Sequence, residues 1–455
     1  TDNRLLRRIV RDNRTRGVNV EKTLETWSNV RDGEEKYIFP YTSEADIVLN
    51  TSYVYEIGVL KVYVEPLLYT VKMDSPYYDM ARRLLDSLKI FFPISSEYLA
   101  SDNVLREFIG KSEFNEGWGI DMKKIAINGF GRIGRLAFRL ISEESDMEVA
   151  LINDLTSAEE LAYYLKYDTN HRGFDKDEIS YEGDSLIYKG RKIKVYSEKD
   201  PSLLPHRELG IDVVLECTGL FTKLEDAYKH IVAGAKHVII SAPGKGNMDT
   251  IVYGVNDNIL DGSETVISAA SCTTNCLAPV LDLLNKKIGI EKGFMTTVHA
   301  ITNDQATLDV PHKKGIKSRR GRAASLNIVP SSTGAATAIG KVIPELNGKL
   351  DGGAFRVPVG DGSLIDLTLE LKRSVTSEEI NNIFKNNQTD FLKYTTDPIV
   401  SSDILGARSG ALVDGELTKV LDVDGKQLVK VVAWYDNEMS YTAQMIRTLK
   451  VLLNK

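Results

Sequence analysis

Residues 124–141, KIAINGFGRIGRLAFRLI, restrict the possible folds of this chain more than any other stretch. A short apolar strand runs into Gly129-x-Gly131-x-x-Gly134 and then into an amphipathic helix. Glycines at this spacing allow a tight turn, backbone approach to a pyrophosphate at the helix N-terminus, and close packing of helix on strand. A second strand, EVALIND, ends at Asp154, twenty residues after Gly134. A carboxylate at that place accepts from ribose hydroxyls and repels a 2′-phosphate, so the conjunction predicts NAD rather than NADP. A strand-end turn would also favour an aspartate there. The strands SLIYKG, KIKVYS, IDVVLECTG, AKHVIISAP and TVISAAS follow, alternating with helices or turns. That alternation predicts an α/β fold with a doubly wound sheet.

The second constraint is SCTTNC, Ser271 to Cys276, where the apolar run TVISAAS passes into CLAPVLDLL with Leu277, Val280, Leu281 and Leu284 on one helical face. Cys272 therefore falls at a strand-to-helix junction. Unpaired N–H groups and the helix dipole there should lower the thiol pKa, which suits a nucleophile. The plainer reading of a lone cysteine is a small buried hydrophobe. Pro279 should bend this helix or delay its start. Cys276 lies one turn deeper and reads as structural. A Cys-x3-Cys pair without a second His or Cys cluster is a poor metal site, so no metal is expected. Among six histidines, His299 alone is enclosed by a strand pattern, MTTVHAITND. Beside a thiol it can act as general base and then acid.

At 455 residues the chain calls for two or three domains. A net charge of −7 gives no field to gather nucleic acid or an anionic membrane. No apolar run reaches the roughly 18 residues of a membrane span, and the first residues lack a signal peptide's hydrophobic stretch. With only Cys217, Cys272 and Cys276, a cytoplasmic protein is expected. Residues 1–110 differ in character from the rest. They open with six arginines among sixteen residues; Arg4, Arg7, Arg8 and Arg11 share a helical face that could clamp phosphate or simply be solvated. The aromatic and aliphatic text that follows is enough for a small α+β core. Residues 111–121 read as a linker. A gene fusion, or translation through a gene boundary with Met122 as the true start, would both give such a linker, and we take the second as the expectation.

The motifs NGFGRIGR, VALIND, ECTG, ISAP, SCTTNC, TTVHAITNDQ, RAASLNIVPSSTGAA, GKLDG, FRVPV and WYDNEMSY, in that order, resemble phosphorylating glyceraldehyde-3-phosphate dehydrogenases from Met122 to the C-terminus. The resemblance implies a Rossmann domain over 122–270, joined by the C-terminal helix 438–455, and an α+β catalytic domain over 271–437. It implies Cys272 as nucleophile and His299 as base and acid. A thiohemiacetal would pass hydride to NAD, and phosphate would release the resulting thioester as 1,3-bisphosphoglycerate. Gly129, Gly131, Arg132, Ile133, Gly134, Asp154, Lys199, Ser241 and Asn437 would bind the cofactor, with Tyr441 beside the nicotinamide ring. Lys199 stands where many relatives have arginine. Thr302 and Arg356 would hold the substrate phosphate, and Ser271, Thr273, Thr333 and Gly334 the incoming one. Arg322 would lie near both anion sites, while Arg319 and Arg320 could be surface charge or subunit contact. The family implies a homotetramer, with residues from about Asp304 to Asn327 joining subunits. An erythrose 4-phosphate paralogue is the close alternative, and an inert scaffold the distant one. Residues 3–112 resemble the C-terminal half of nucleoside (uridine) kinases, whose lid arginines would map to Arg7, Arg8, Arg11 and Arg16. This chain carries no G-x-x-x-x-G-K-[ST] loop, so the segment is expected to be a catalytically dead kinase part, and uridine phosphorylation by the purified chain tests that.

Overall fold

The computed structural model describes residues 2–40, 55–99, 103–109, 122–172 and 176–455. The chain divides between residues 121 and 122 into two compact units. The first has helices α1 (Asp2–Arg16), α2 (Val20–Tyr37), α3 (Glu56–Leu68), α4 (Tyr78–Leu88) and α5 (Arg106–Ile109). Leu5, Leu6 and Ile9 of α1, Leu24 and Trp27 of α2, Val59, Leu60 and Val64 of α3 and Leu84, Leu85 and Leu88 of α4 form one apolar core. Their spacing of three and four residues puts each set on one helical face. The regular elements among the described residues of this unit are all helical. Much of the aromatic-rich text, residues 41–54, lies outside them. The basic face of α1 is also not a free one. Arg4 pairs with Glu34, Arg7 with Glu56, and Arg8 and Arg11 with Asp12 at 3.2 and 3.1 Å. The side chain of Arg16 lies outside the described residues.

The second unit carries two sheets. In chain order the strands of the first are β1 (Lys123–Asn128), β2 (Met147–Asn153), β3 (Ile179–Glu182), β4 (Ser185–Tyr188), β5 (Arg191–Tyr196), β6 (Val213–Glu216), β7 (His237–Ile240) and β8 (Val266–Ser268). They lie in the order β3-β4-β5-β2-β1-β6-β7-β8, with β5-β2-β1-β6-β7-β8 parallel. The strand order reverses at β1, and the carboxyl ends of the strands at such a switch point are where sheets of this kind bind ligands. Helix α6 (Arg132–Ile141) begins within the glycine motif and contains Gly134, and α7 (Ala158–Lys166) follows β2.

Helix α8 (Cys272–Lys287) links the sheets. Leu277, Val280, Leu281 and Leu284 are all fully buried, as their spacing predicts. Pro279 neither ends nor delays the helix, which begins at Cys272. It lies in the second turn, where its missing N–H leaves only the Asn275 carbonyl without its helical donor. The second sheet comprises β9 (Ile290–His299), β10 (Val329–Ser331), β11 (Leu350–Arg356), β12 (Ser363–Leu371), β13 (Leu392–Thr395), β14 (Ala411–Val423) and β15 (Lys426–Tyr435), in the order β10-β11-β9-β12-β15-β14-β13. Helices α9 (Ala335–Val342) and α10 (Ser377–Asn386) belong to this half. The last helix, α11 (Met439–Leu453), returns to the first sheet, with Met439, Ile446 and Leu449 buried in its core. Cys272 packs against the cores of both halves.

Candidate active site

Three elements converge on Cys272. Strand β8 ends at Ser268, and two residues later Ala270 takes a left-handed backbone with φ +58°, a conformation costly for a residue with a Cβ. This turn is held by Ser268 Oγ, which accepts from Ala270 N at 3.1 Å, and by Tyr441 Oη, which donates to Ala270 O at 3.3 Å. Ser271 then caps α8, its Oγ accepting from Thr274 N at 3.1 Å. Cys272 is thus the first residue of the helix. From the second sheet, β9 and β11 run parallel in a register that sets His299 beside Arg356 at their C-terminal ends.

The Cys272 Sγ to His299 Nε2 distance is 3.3 Å. His299 Nδ1 lies 2.8 Å from Ala300 O and 2.7 Å from Arg356 Nη1. A bond from Nδ1–H to Ala300 O leaves the Nε2 lone pair on the thiol, the tautomer a general base requires. Arg356 also donates to Ala300 O at 2.8 Å and to Thr302 Oγ1 at 3.3 Å, while its Nε is buried without a partner. Thr273 Oγ1 and Thr297 Oγ1 each sit 2.9 Å from Tyr435 Oη.

The expected lowering of the thiol pKa is corrected by burial. Loss of water raises the Cys272 pKa above its ordinary value, against the opposing fields of Arg356 and the Thr273 hydroxyl. Desolvation outweighs what one helix terminus supplies. Burial, with the Arg356 charge adding to it, lowers the His299 pKa to about 3. In the free protein each partner taken alone is neutral.

The pair opens into a cavity of about 220 Å³ lined by Ser271, Thr273, Thr333, Gly334, Arg320 and Arg356, among others. Thr302 is not in that lining but is joined to it through Arg356. Gly334 caps α9 and lines the cavity together with Ala335, so the N-terminus of that helix, where anions are favoured, lies at the cavity wall. The arginine assignment in SRRGRAAS changes. Arg320 lines the cavity and pairs with Asp304, whereas Arg322 is exposed and paired with Asp309 at 3.0 Å. Sequence spacing could not decide which side chain of a short 3-10 turn points inward. Lys341 and Tyr435 were also missed; no linear pattern distinguishes them.

The dinucleotide crevice is built around Gly129, whose φ is +91°, and where a Cβ would meet Thr218 N at 2.8 Å. At Gly134 a Cβ would lie 2.1 Å from Gly129 O, whereas Gly131, which caps α6, has open space beside it. A pyrophosphate fits that opening. Asp154 supports the loop, accepting from Phe130 N at 2.7 Å and Thr156 N at 3.0 Å, so it also fills the turn role noted above. Ile133 packs against the core of the first half. Lys199 is exposed. Ser241 follows β7 at the same edge, its N–H donating to Glu216 O. Asn437, between β15 and α11, accepts at Oδ1 from Ser363 Oγ at 2.6 Å.

A dinucleotide-binding sheet joined to a thiol–imidazole cavity defines an NAD-dependent oxidoreductase. Residues 123–224 match the NAD binding domain, and residues 271–437 the C-terminal domain, of glyceraldehyde 3-phosphate dehydrogenase. A glyceraldehyde-3-phosphate dehydrogenase of Clostridium pasteurianum is 59% identical over 329 residues, 72% of this chain and 98% of the relative. Those of Clostridium acetobutylicum and Streptococcus pyogenes are 58% and 56% identical, again over 72% of this chain and 98% and 97% of their own length. The chain belongs to the glyceraldehyde-3-phosphate dehydrogenase family. Residues 1–57 match the phosphoribulokinase and uridine kinase family.

Proposed function

We propose that this chain oxidises D-glyceraldehyde 3-phosphate with NAD and inorganic phosphate to 1,3-bisphosphoglycerate. The observation that carries the reading is the 3.3 Å contact of Cys272 Sγ with His299 Nε2 in a cavity lined by two arginines. Cys272 is the nucleophile and His299 the base. Because each is neutral alone, the thiol proton passes to Nε2 as sulfur attacks the aldehyde carbon, and the pair stays neutral overall. The oxygen of the adduct takes a proton, giving a thiohemiacetal. His299 removes that proton again as the carbon gives up its hydride, and a thioester remains on Cys272. NAD, held by Gly129, Gly131, Arg132, Ile133, Gly134, Asp154, Lys199, Ser241 and Asn437, supplies the hydride acceptor. Phosphate oxygen then attacks the thioester carbon, the carbon–sulfur bond breaks, and the sulfur leaves as thiolate.

Arg356 and Thr302 hold the phosphate of the aldehyde. Ser271, Thr273, Thr333 and Gly334, with Arg320, hold the attacking phosphate; charge-assisted bonds to an anion are the strong kind. In the loop over residues 304–327, Leu308, Val310, Ile316 and Leu326 are exposed, as are Phe294 on β9 and Phe355 on β11. A homotetramer covers such apolar surface. No helix among the described residues is long and apolar enough to cross a membrane. The free cysteines Cys217, Cys272 and Cys276 suit a reducing compartment, the cytoplasm.

The test is NADH formation from glyceraldehyde 3-phosphate and NAD, with and without phosphate, by the full chain and by Cys272→Ser. Turnover is expected to need phosphate and to vanish in the variant. Phosphate-independent turnover, or activity surviving in Cys272→Ser, would refute the reading.

A further inference from the structure

Beside Asn437 lies a buried group of charges of which the reaction above uses only Arg132. His171, in the loop after α7, is presented by Asp168, whose Oδ1 accepts from Asn170 N at 3.1 Å and His171 N at 2.9 Å. His171 Nε2 lies 2.8 Å from Asp436 Oδ2 and 3.2 Å from Asp361 Oδ2, and Nδ1 lies 3.3 Å from Glu438 Oε2. Arg132, the first residue of α6, donates from Nε to Glu438 Oε1 at 2.9 Å and from Nη1 to Asp168 Oδ2 at 2.7 Å. Arg135 adds a more distant contact with Asp168 at 4.0 Å. His171, Asp361 and Asp436 are essentially without solvent.

His171 therefore contacts both residues that flank Asn437, Asp436 and Glu438, as well as Asp361. Asp436 also accepts at Oδ1 from Glu438 N and Met439 N, at 2.9 and 2.7 Å, which shapes the turn at residues 436–438. Arg132 touches the same Glu438 from the N-terminus of the helix that faces the pyrophosphate opening. Burial opposes a charge on His171, yet the bonds to Asp436 and Glu438 raise its pKa to about 10. With both ring nitrogens protonated, Nδ1–H has Glu438 Oε2 at 3.3 Å as its acceptor, and Arg132 Nη2, 3.2 Å away, cannot donate to it.

We propose that His171 is a positioning residue for the nicotinamide: by gripping Asp436 and Glu438 it sets the turn that presents Asn437, and couples that turn to the pyrophosphate end of the crevice through Arg132. The inference rests on the reading that Asn437 holds the nicotinamide amide. A binding group is only as well placed as the residues that fix it, and among the described residues the Asn437 side chain itself is held by Ser363.

The experiment measures the NAD dissociation constant by calorimetry on the full chain, on His171→Gln and on Asn437→Ala. Beside it run the KM for the aldehyde and the rate of Cys272 alkylation by iodoacetamide without NAD. His171→Gln is expected to weaken NAD binding about tenfold, the size of one lost charge-assisted bond. Its aldehyde KM and NAD-free alkylation should stay within about twofold of wild type, as the Cys272–His299 pair makes no contact with His171. Asn437→Ala should weaken NAD at least as much. Wild-type NAD affinity in Asn437→Ala removes the underlying reading. Weakened affinity there with wild-type affinity in His171→Gln overturns the present one, as does a His171→Gln protein whose alkylation and aldehyde KM deteriorate together with NAD binding. Should His171→Gln not fold, Glu438→Gln cuts the Nδ1 side of the same grip. About threefold weaker NAD binding is expected there, and unchanged binding overturns the proposal.

Discussion

Removal of water holds both members of the Cys272–His299 pair neutral, raising the thiol pKa and lowering that of the imidazole. The thiolate therefore depends on a base within reach rather than on the helix terminus alone. Replacing His299 by Asn leaves a buried thiol with no acceptor for its proton. Iodoacetamide alkylation of Cys272 at neutral pH is expected to slow by about 10- to 100-fold, the usual contribution of a positioned base being of that order or more. Its rate should climb only in the alkaline range, above the ordinary thiol value. Equal rates for wild type and His299→Asn at pH 7 would show that the helix terminus suffices. Arg356 shapes the pair as well, since its charge favours a thiolate and disfavours an imidazolium. A phosphate bound by Arg356 offsets that charge, so Arg356→Gln is expected to raise the KM for the phosphorylated aldehyde by about 100-fold, as for a lost buried charge pair, with the NAD dissociation constant unchanged. Calorimetry with NAD beside aldehyde titration separates the two effects.

Between β15 and α11 the turn at residues 436–438 carries a pH dependence of its own. Burial raises the Asp361 pKa to about 8, with the charges of Asp436 and Glu438 adding to it, and that of His171 is raised to about 10. A group whose folded pKa exceeds its unfolded one stabilises the fold fully below the unfolded value and loses that effect as pH rises through the folded value. For His171 the loss runs from about 6.5 to about 10, and for Asp361 from about 3.8 to about 8. Asp436 and Glu438 act oppositely: burial opposes their charge, but bonds to His171, and for Glu438 to Arg132, lower their pKa values. Their contribution fades on acidification. The thermal midpoint of residues 122–455 is thus expected to fall from pH 7 to pH 10, and Asp361→Asn to flatten the part of that fall below pH 8. A midpoint constant over this range, in scanning calorimetry, would contradict the assignment. Elements of this kind were not legible in the text of the chain. The glycine motif and the Cys272 helix are local patterns, and both emerge as their spacing implies. His171 and Asp436 are 265 residues apart, and nothing periodic surrounds His171. Arg320 and Arg322 share one short motif, and only the fold of the loop turns one inward. The α1 arginines have the spacing of a basic face, but the partners of Arg4 and Arg7, Glu34 and Glu56, come from other helices.

At the scale of the whole chain the described residues hold an apolar core for the first unit and others for the second, with no residue in common. A ligand stabilises only the cooperative unit whose folded form binds it. Calorimetry on the full chain is expected to show two transitions, and saturating NAD to raise one of them, that of residues 122–455. At about a hundred times its dissociation constant NAD contributes about 2.7 kcal/mol to that unit and nothing to the other. Uridine or ATP should move neither the second transition nor, if the first unit is an inactive kinase part, the first. Assembly adds a separate variable, because obligate oligomers gain stability with concentration. Ile316, fully exposed in the 304–327 loop, is the sharpest probe of it. Ile316→Asp is expected to lower the mass found by light scattering and to make the NAD-sensitive transition fall on dilution, while the first transition stays in place. A full-length chain that scatters as a monomer before any substitution would remove the tetramer from this account, and leave the apolar loop to be covered in another way.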